Sequence, residues 1–360
     1  MFLEILELRQ FKNHEHIHLR FEKALSCFVG PNGIGKTNLL DAIHYCCVGK
    51  SAFNALDAQN IKHEQQFFRI QSRILKQNEH YDIVCALQQG KSKILKCNHY
   101  EYPKFSEHLG LFPLVLVCPD DTDLIREGSD YRRKFFDFTL AQINRKFLKD
   151  LLAYSALLKN RNAHLKQDYA QLDWSLIDTY DAQMLPLAKQ IAKVRAAFCE
   201  EMRLVLMKMY SFLTNQSEQI ALTYQTEVLD EDFEKRYKAQ LQQDIFLKRT
   251  DMGVHKDDFR FEIGQLPIKK FGSQGQQKSF IIALKLAQFQ LLKQHLHITP
   301  FLLLDDIFDK LDQLRTAKLL SLLSGSTFGQ VFITDANPER VQMLLHSVGL
   351  SEQTQMFHFP

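Results

Sequence analysis

The sequence predicts an α/β fold, a mixed sheet built around one helix, with an inserted and mainly helical second lobe. Three stretches carry that reading. Gly30-Pro31-Asn32-Gly33-Ile34-Gly35-Lys36-Thr37 separates a short apolar run, Ser26 to Val29, from a helical pattern. Phe301-Leu302-Leu303-Leu304-Asp305-Asp306 is a second apolar run, ending in two carboxylates. Ser129 to Leu213 repeats Leu and Ala at helical spacing.

The first stretch fits Gly, four residues, Gly-Lys-Thr, the pattern of a phosphate-binding loop. Its glycines let the backbone turn its N–H groups inward around the β- and γ-phosphates, where a side chain would block both the turn and the anion. Lys36 supplies a point charge and Thr37 a hydroxyl for Mg²⁺. Such a loop works only between a buried strand and a helix whose N-terminus faces the phosphates. Both flanks are present: Ser26 to Val29 is strand-like, and Asn38 to Val48 puts Leu39, Leu40, Ile43, Cys46 and Cys47 on one stripe. A Gly-rich turn without chemistry requires neither.

A chain of 360 residues suffices for one large or two ordinary domains with a sizeable core. No run approaches the roughly 20 apolar residues of a membrane span. An N-terminus with Glu4, Glu7 and Arg9 does not read as a signal peptide, so the expectation is a soluble, cytoplasmic protein. Seven cysteines without a Cys-x-x-Cys pair suggest buried free thiols. A net charge of +3 does not announce nucleic-acid binding, and any DNA contact requires a local basic surface.

Residues 1 to 30 read as strands, with Leu3, Ile5, Leu6 and Leu8, then Ile17, Leu19 and Phe21. Lys12, in the turn between the first two, either reaches a phosphate or is solvated. Lys50 to Glu64 reads as loop and short helix. Residues 67 to 100 alternate as strands, with Gln88-Gln89-Gly90 as a hairpin, and Leu114 to Cys118 is a strand buried on both faces. In the helical lobe, Pro186 predicts a break or kink in the segment from Trp174 to Phe212. Its basic residues Arg132, Arg133, Lys134, Arg145, Lys146, Lys159, Arg161 and Lys166 are either a phosphate-facing surface or a solvated helix face. Ile220 to Glu227 then alternates, Asp230 to Arg249 reads as a charged helix, and Phe259 to Ile263 as a strand.

Phe301 to Asp306 has the form of a Walker B strand. Asp305 suits the Mg²⁺ shell, and Asp306 suits polarising an attacking water. Before it, Phe271-Gly272-Ser273-Gln274-Gly275-Gln276-Gln277-Lys278 is a polar loop opening a helix from Ser279 to Lys293. That helix start, with the Ser273 hydroxyl, is a second anion site or an ordinary cap. One nucleotide does not easily need two anion loops from one subunit. A dimer resolves this, the Ser273 loop of one chain capping the γ-phosphate held by Lys36 of the other. Phe308 to Asp312 runs on into that interface region, a helix follows from Leu314 to Leu323, and Val331 to Asp335 is a last buried strand, ending where a γ-phosphate sensor would sit.

Together these features resemble the ABC-type ATPase head shared by SMC and Rad50 proteins, and more narrowly the RecF family of bacterial recombination mediators. Gly30 to Asn38, Gly253-Val254-His255-Lys256-Asp257-Asp258, Ser273-Gln274-Gly275-Gln276-Gln277 and Leu304-Asp305-Asp306 occur in that family's order, as does Gly128-Ser129-Asp130-Tyr131-Arg132-Arg133-Lys134-Phe135-Phe136-Asp137. The resemblance covers essentially the whole chain. It implies an ATPase head made of residues 1–128 and 214–360, with 129–213 as the helical lobe in place of a coiled coil.

It further implies ATP and Mg²⁺ as cofactors, slow DNA-stimulated hydrolysis and an ATP-dependent homodimer on DNA at gaps or single-strand/double-strand junctions. Other recombination mediators are implied as partners, with roles in recombinase loading, replication and the SOS response. Lys36, Asp306 and Gln65 are then catalytic. The loop from Gly30 to Asn38, with Ser273, Gln274, Gly275 and Gln276, holds the nucleotide, and Thr37 and Asp305 hold the metal. Gln65 becomes the Q-loop residue that senses Mg²⁺. Three departures stand out: Val254 replaces the family's usual proline, Asp306 replaces the glutamate of most ABC heads, and Thr334-Asp335 replaces the transporter switch histidine. The ATPase subunit of a transporter is the alternative reading, disfavoured by the Ser-Gln-Gly-Gln form of the loop at Ser273. A metabolic kinase has no use for two distant nucleotide loops.

Overall fold

The structure, a computed structural model, describes residues 1–214, 218–308, 313–323 and 327–360. In chain order, β1 (Phe2–Phe11) and β2 (His14–Arg20) form a hairpin, and β3 (Leu25–Val29) leads into α1 (Lys36–Val48). The strands β4 (Phe67–Lys76), β5 (Glu79–Gln88), β6 (Ile94–Cys97), β7 (Tyr100–Glu101) and β8 (Leu114–Val117) follow. The helices α2 (Asp123–Arg126), α3 (Ser129–Ile143), α4 (Arg145–His164) and α5 (Trp174–Thr214) come next. After β9 (Ile220–Gln225) come α6 (Phe233–Ala239), α7 (Leu241–Leu247), β10 (Asp258–Ile263), β11 (Leu266–Pro267) and α8 (Ile268–Phe271). The chain closes with α9 (Gln274–Leu296), β12 (Phe301–Asp305), α10 (Gln313–Leu323), β13 (Val331–Asp335), α11 (Pro338–Ser347) and β14 (Thr354–His358).

Two compact units result, Met1–Asp121 with Met209–Asn215 and Lys278–Pro360, and Thr122–Lys208 with Gln216–Gln277. The first holds two sheets. One is antiparallel, in the order β2-β1-β4-β5-β6-β7; the other is parallel, in the order β14-β3-β13-β12-β8. The helix α1 packs against both, touching β4 and β5 on one side and β8, β12 and β13 on the other. This explains why burial extends beyond the expected stripe to Ala42, Tyr45, Val48 and even Asp41 and His44, since a helix enclosed on all sides is apolar all round. The parallel strands β3, β12 and β13 are buried along their whole length, as runs such as Phe-Leu-Leu-Leu demand.

In the second unit β10 pairs with β9 and β11, and Phe259 of β10 stacks on Phe136 of α3 with centroids 3.7 Å apart. Residues 216–277 therefore cluster with the helices, whereas the sequence reading assigned everything from 214 onward to the head. Pro186 does not break α5, which runs through it for 41 residues. The charged segment after Asp230 forms two short helices, α6 and α7, that meet at Gln240, and Lys248 in the left-handed region (φ 54°) ends the second. The helix α9 starts at Gln274, five residues before the expected Ser279. Beyond Phe308, the segment Asp309-Lys310-Leu311-Asp312 lies outside the described residues.

Candidate functional site

Parallel pairing brings the ends of four strands to one edge. Asp305 pairs with Thr334, Asp335 with Val29, and Leu304 with Val117, so the loop from Gly30, the Asp305-Asp306 pair and Thr334-Asp335 all leave the sheet at its carboxyl edge. In open α/β sheets ligands bind there. Residues 30 and 305, nearly the whole chain apart in sequence, are thereby placed two strands from one another.

The loop tolerates no side chain at two positions. Gly30 (φ 152°) lies against the backbone of Phe359, whose carbonyl oxygen would stand 2.3 Å from an added Cβ. Gly35 (φ 104°) faces Asn13 and His14, and an added Cβ would stand 2.4 Å from the Asn13 amide. No side chain caps α1 at Gly35, which leaves its positive end facing the loop. Lys36 Nζ folds back and donates to the carbonyls of Gly30 at 2.7 Å and Pro31 at 2.8 Å.

The β1–β2 turn holds this loop from outside. Asn13 donates to the Ile34 carbonyl at 2.7 Å and accepts from the Asn38 amide at 2.7 Å, and His14 Nε2 lies 3.0 Å from the Gly35 carbonyl. Burial pushes the His14 pKa down. Sequence reasoning missed both residues, because only the folded hairpin brings position 13 next to position 34. Lys12 neither faces a phosphate nor points into solvent. It pairs at 2.6 Å with Asp41 on the buried side of α1, which also accepts from the Ser51 hydroxyl at 2.6 Å and the Ala52 amide at 2.7 Å.

At the sheet edge Thr37 Oγ1 donates to Asp305, 2.8 and 3.1 Å from its two carboxylate oxygens, and the buried Thr334 hydroxyl donates to Asp305 at 2.7 Å. Thr334 Oγ1 in turn accepts from the Asp306 amide at 3.0 Å, holding Asp306 at φ 48°. Asp335 is fully buried; it accepts two bonds of 2.8 Å from Arg340 and one of 2.7 Å from the Asn337 amide. Thr334 therefore braces the Asp305 carboxylate and the backbone of Asp306, and Asp335 anchors α11, roles the sequence left open. Two hydroxyls around a carboxylate are hard oxygen donors of the kind Mg²⁺ accepts while keeping several waters, so the residues fit that ion. Among the described residues no group of three His, Cys, Asp or Glu side chains forms a metal cluster. Gln65 is exposed in the turn before β4, and its amide donates to the Lys62 carbonyl. Among the described residues no hydrogen bond links it to the Thr37–Asp305 pair.

In the second unit the start of α9 is a capping box. Ser273 Oγ accepts from the Gln276 amide at 3.2 Å, and Gln276 Oε1 accepts from the Ser273 amide at 2.7 Å. The hydroxyl accepts in this box, so its own proton remains available to donate. The basic residues offered for DNA divide sharply. Arg161 is fully buried, bonded at 2.7 Å to Asp181, Asp244 and Thr250. Arg132 forks onto Asp258, Arg133 donates to the Asp257 carbonyl, and Lys134 and Lys146 pair with Asp130 and Asp150. Arg145, Lys159 and Lys166 are exposed. The motif from Gly253 to Asp258 is likewise committed to structure. Arg195 binds Asp137 at 2.8 Å, the Val254 carbonyl at 2.7 Å and Asp257 at 3.1 Å, while Tyr224 donates to Asp257 and His255 bonds Tyr154.

The family profile described as RecF/RecN/SMC N terminal domain matches residues 2–358. A protein of Flavobacterium johnsoniae named DNA replication and repair protein RecF is 44% identical over 351 residues, spanning 96% of this chain and 97% of its own. The chain belongs to the RecF family. Two solved structures of the recombination mediator protein RecF in the RecFOR pathway superpose on it. The ATPrS form has a TM-score of 0.87 at 25% identity, over 100% of this chain and 96% of its own. The ATP form has 0.86 at 26%, over 93% and 92%. The RecF fold, an ABC-type head with a helical lobe, is the fold class expected from the sequence. Among the described residues no helix is long and apolar enough to cross a membrane.

Proposed function

We propose that this chain is a cytoplasmic, ATP-dependent DNA-binding protein of recombinational repair that closes as a homodimer on gapped or junction DNA and hydrolyses ATP slowly to open again. The observation that carries the reading is the Thr37–Asp305–Thr334–Asp306 set beside a Gly30–Thr37 loop that already has its turn. The names of the RecF relatives support the repair role. Assistance to recombinase loading, replication and the SOS response, together with other mediator proteins, belongs to the same proposal.

In this reading Lys36 leaves the Gly30 and Pro31 carbonyls for the β- and γ-phosphates, and the backbone N–H groups of the loop from Gly30 to Asn38, Pro31 excepted, complete the cradle. Thr37 and Asp305 would hold Mg²⁺, with Gln65 reaching them only on a rearrangement of its exposed turn, and the ion would supply charge neutralisation on the phosphates. Asp306 orients and polarises the water. The Ser273 proton, with Gln274, Gly275 and Gln276 at the positive end of α9, is offered to the γ-phosphate held by the partner copy.

Three variants test this by sedimentation with ATP, Mg²⁺ and gapped duplex. Lys36→Ala abolishes ATP binding, Ser273→Arg keeps binding but blocks the dimer, and Asp306→Asn traps it. Asn suits the last test because it tolerates the left-handed backbone at 306. A trapped variant that stays monomeric at saturating ATP would sink the shared-site reading.

A further inference from the structure

We infer that the outer face of the antiparallel sheet, carried by β2, β1 and β4, is a docking surface for the phosphodiester backbone of duplex DNA. The inference rests on the DNA reading above and names the surface that serves it. The inner face of this sheet is apolar, with Leu6, Leu8, Ile70 and Ile74 buried, and its outer face is exposed. Register aligns the outward side chains into rows across the strands. His16, Arg9 and Arg69 are direct neighbours in one row; His18, Glu7 and Gln71 form the next; Arg20, Ile5 and Arg73 form the third.

Charge on this face does not balance. Glu7 is taken by Arg9 at 2.9 Å, Asp82 by Arg73 at 2.7 Å and Glu101 by Lys96 at 3.0 Å. Arg20 and Arg69 are both exposed and pair with no carboxylate among the described residues. Arg69 moreover stands directly across from Arg9, whose charge Glu7 already takes, so Arg69 adds a positive charge to that row which no carboxylate of the sheet answers. An extended polyanion satisfies both rows at once, as a single small anion does not. The same hairpin ends in the Asn13–His14 turn that grips the Gly30–Thr37 loop, so a strand lying on its face touches the element that positions the nucleotide.

The test is fluorescence anisotropy of a gapped duplex with full-length protein, saturating ATP and Mg²⁺, at salt from about 50 to about 200 mM, for wild type, Arg69→Gln, Arg20→Gln and the double variant. Removing one arginine–phosphate pair should lower the slope of log affinity against log salt by about 0.9, and the double variant should lower it by about twice that. ATP affinity, measured on the same samples, should not change, which shows that the variants fold. Wild-type slope and affinity in the double variant would overturn the surface while leaving DNA binding intact. A wild type that does not bind the duplex would overturn the surface together with the DNA reading beneath it. Binding to phosphatidylglycerol vesicles without binding to duplex would also overturn it.

Discussion

Thr334 is the residue that ties the Asp305 carboxylate to the backbone of Asp306. Replacing it by Val keeps the shape and deletes the hydroxyl that donates to Asp305 at 2.7 Å and accepts from the Asp306 amide at 3.0 Å. The first is a bond to a charged group, about 1.5–3 kcal/mol, and losing the second leaves an amide short of a partner at a further cost of about 1–3 kcal/mol. Asp305 keeps its bond from Thr37, so the lower end of the sum, about 2.5 kcal/mol, is the expected loss in urea unfolding without nucleotide. Release of Asp306 should also cut ATP turnover at least about tenfold while ATP affinity stays close to wild type. Thr334→Ser, which restores the hydroxyl, should recover both. If Thr334→Val unfolds within about 0.5 kcal/mol of wild type and turns over ATP normally, the bracing role is wrong.

Lys12→Met strands Asp41 in the core and should cost about 3 kcal/mol in urea unfolding; a loss below about 1 kcal/mol would mean that water screens the pair. Ser273→Ala should cost only about 1 kcal/mol, the worth of a helix cap, while weakening ATP-dependent dimerisation in sedimentation far more. Burial holds His44 and His255 each down to about 4. Unfolding lets both take up protons below their ordinary value, so stability is full above about pH 6.5 and falls as pH drops toward about 4, by up to about 1.4 kcal/mol per pH unit for each. His255→Asn should flatten that slope in urea titrations across the range, and an identical slope would count against it.

Chemistry that sits on contiguous residues was legible in the sequence. The Gly30–Thr37 turn, the apolar run into Asp305-Asp306 and the start of α9 near Ser273 each declare themselves within about ten residues, because loops and capped helices are local objects. Partnerships across the chain were not legible. Asn13 meets Ile34 only after the hairpin forms, and Arg132, Arg133 and Arg161 read as candidate DNA contacts until Asp258, Asp257, Asp181 and Asp244 arrive from far along the chain. Of the break or kink expected at Pro186, the break does not occur: α5 continues through it despite the propensity cost. The pairing of β9 with β10 and the stacking of Phe259 on Phe136 are equally long-range, and the alternation of those strands does not announce either.

The strand that feeds the loop is bordered on both sides by late arrivals. Its neighbours are β13 and β14, and Phe359 closes over Gly30. The strand that leads into the phosphate loop is thus held in place by residues some 300 positions further along the chain, and removing residues 354–359 would strip away both the border strand and the backbone that covers Gly30. The motif is local, but the wall that shapes it is not.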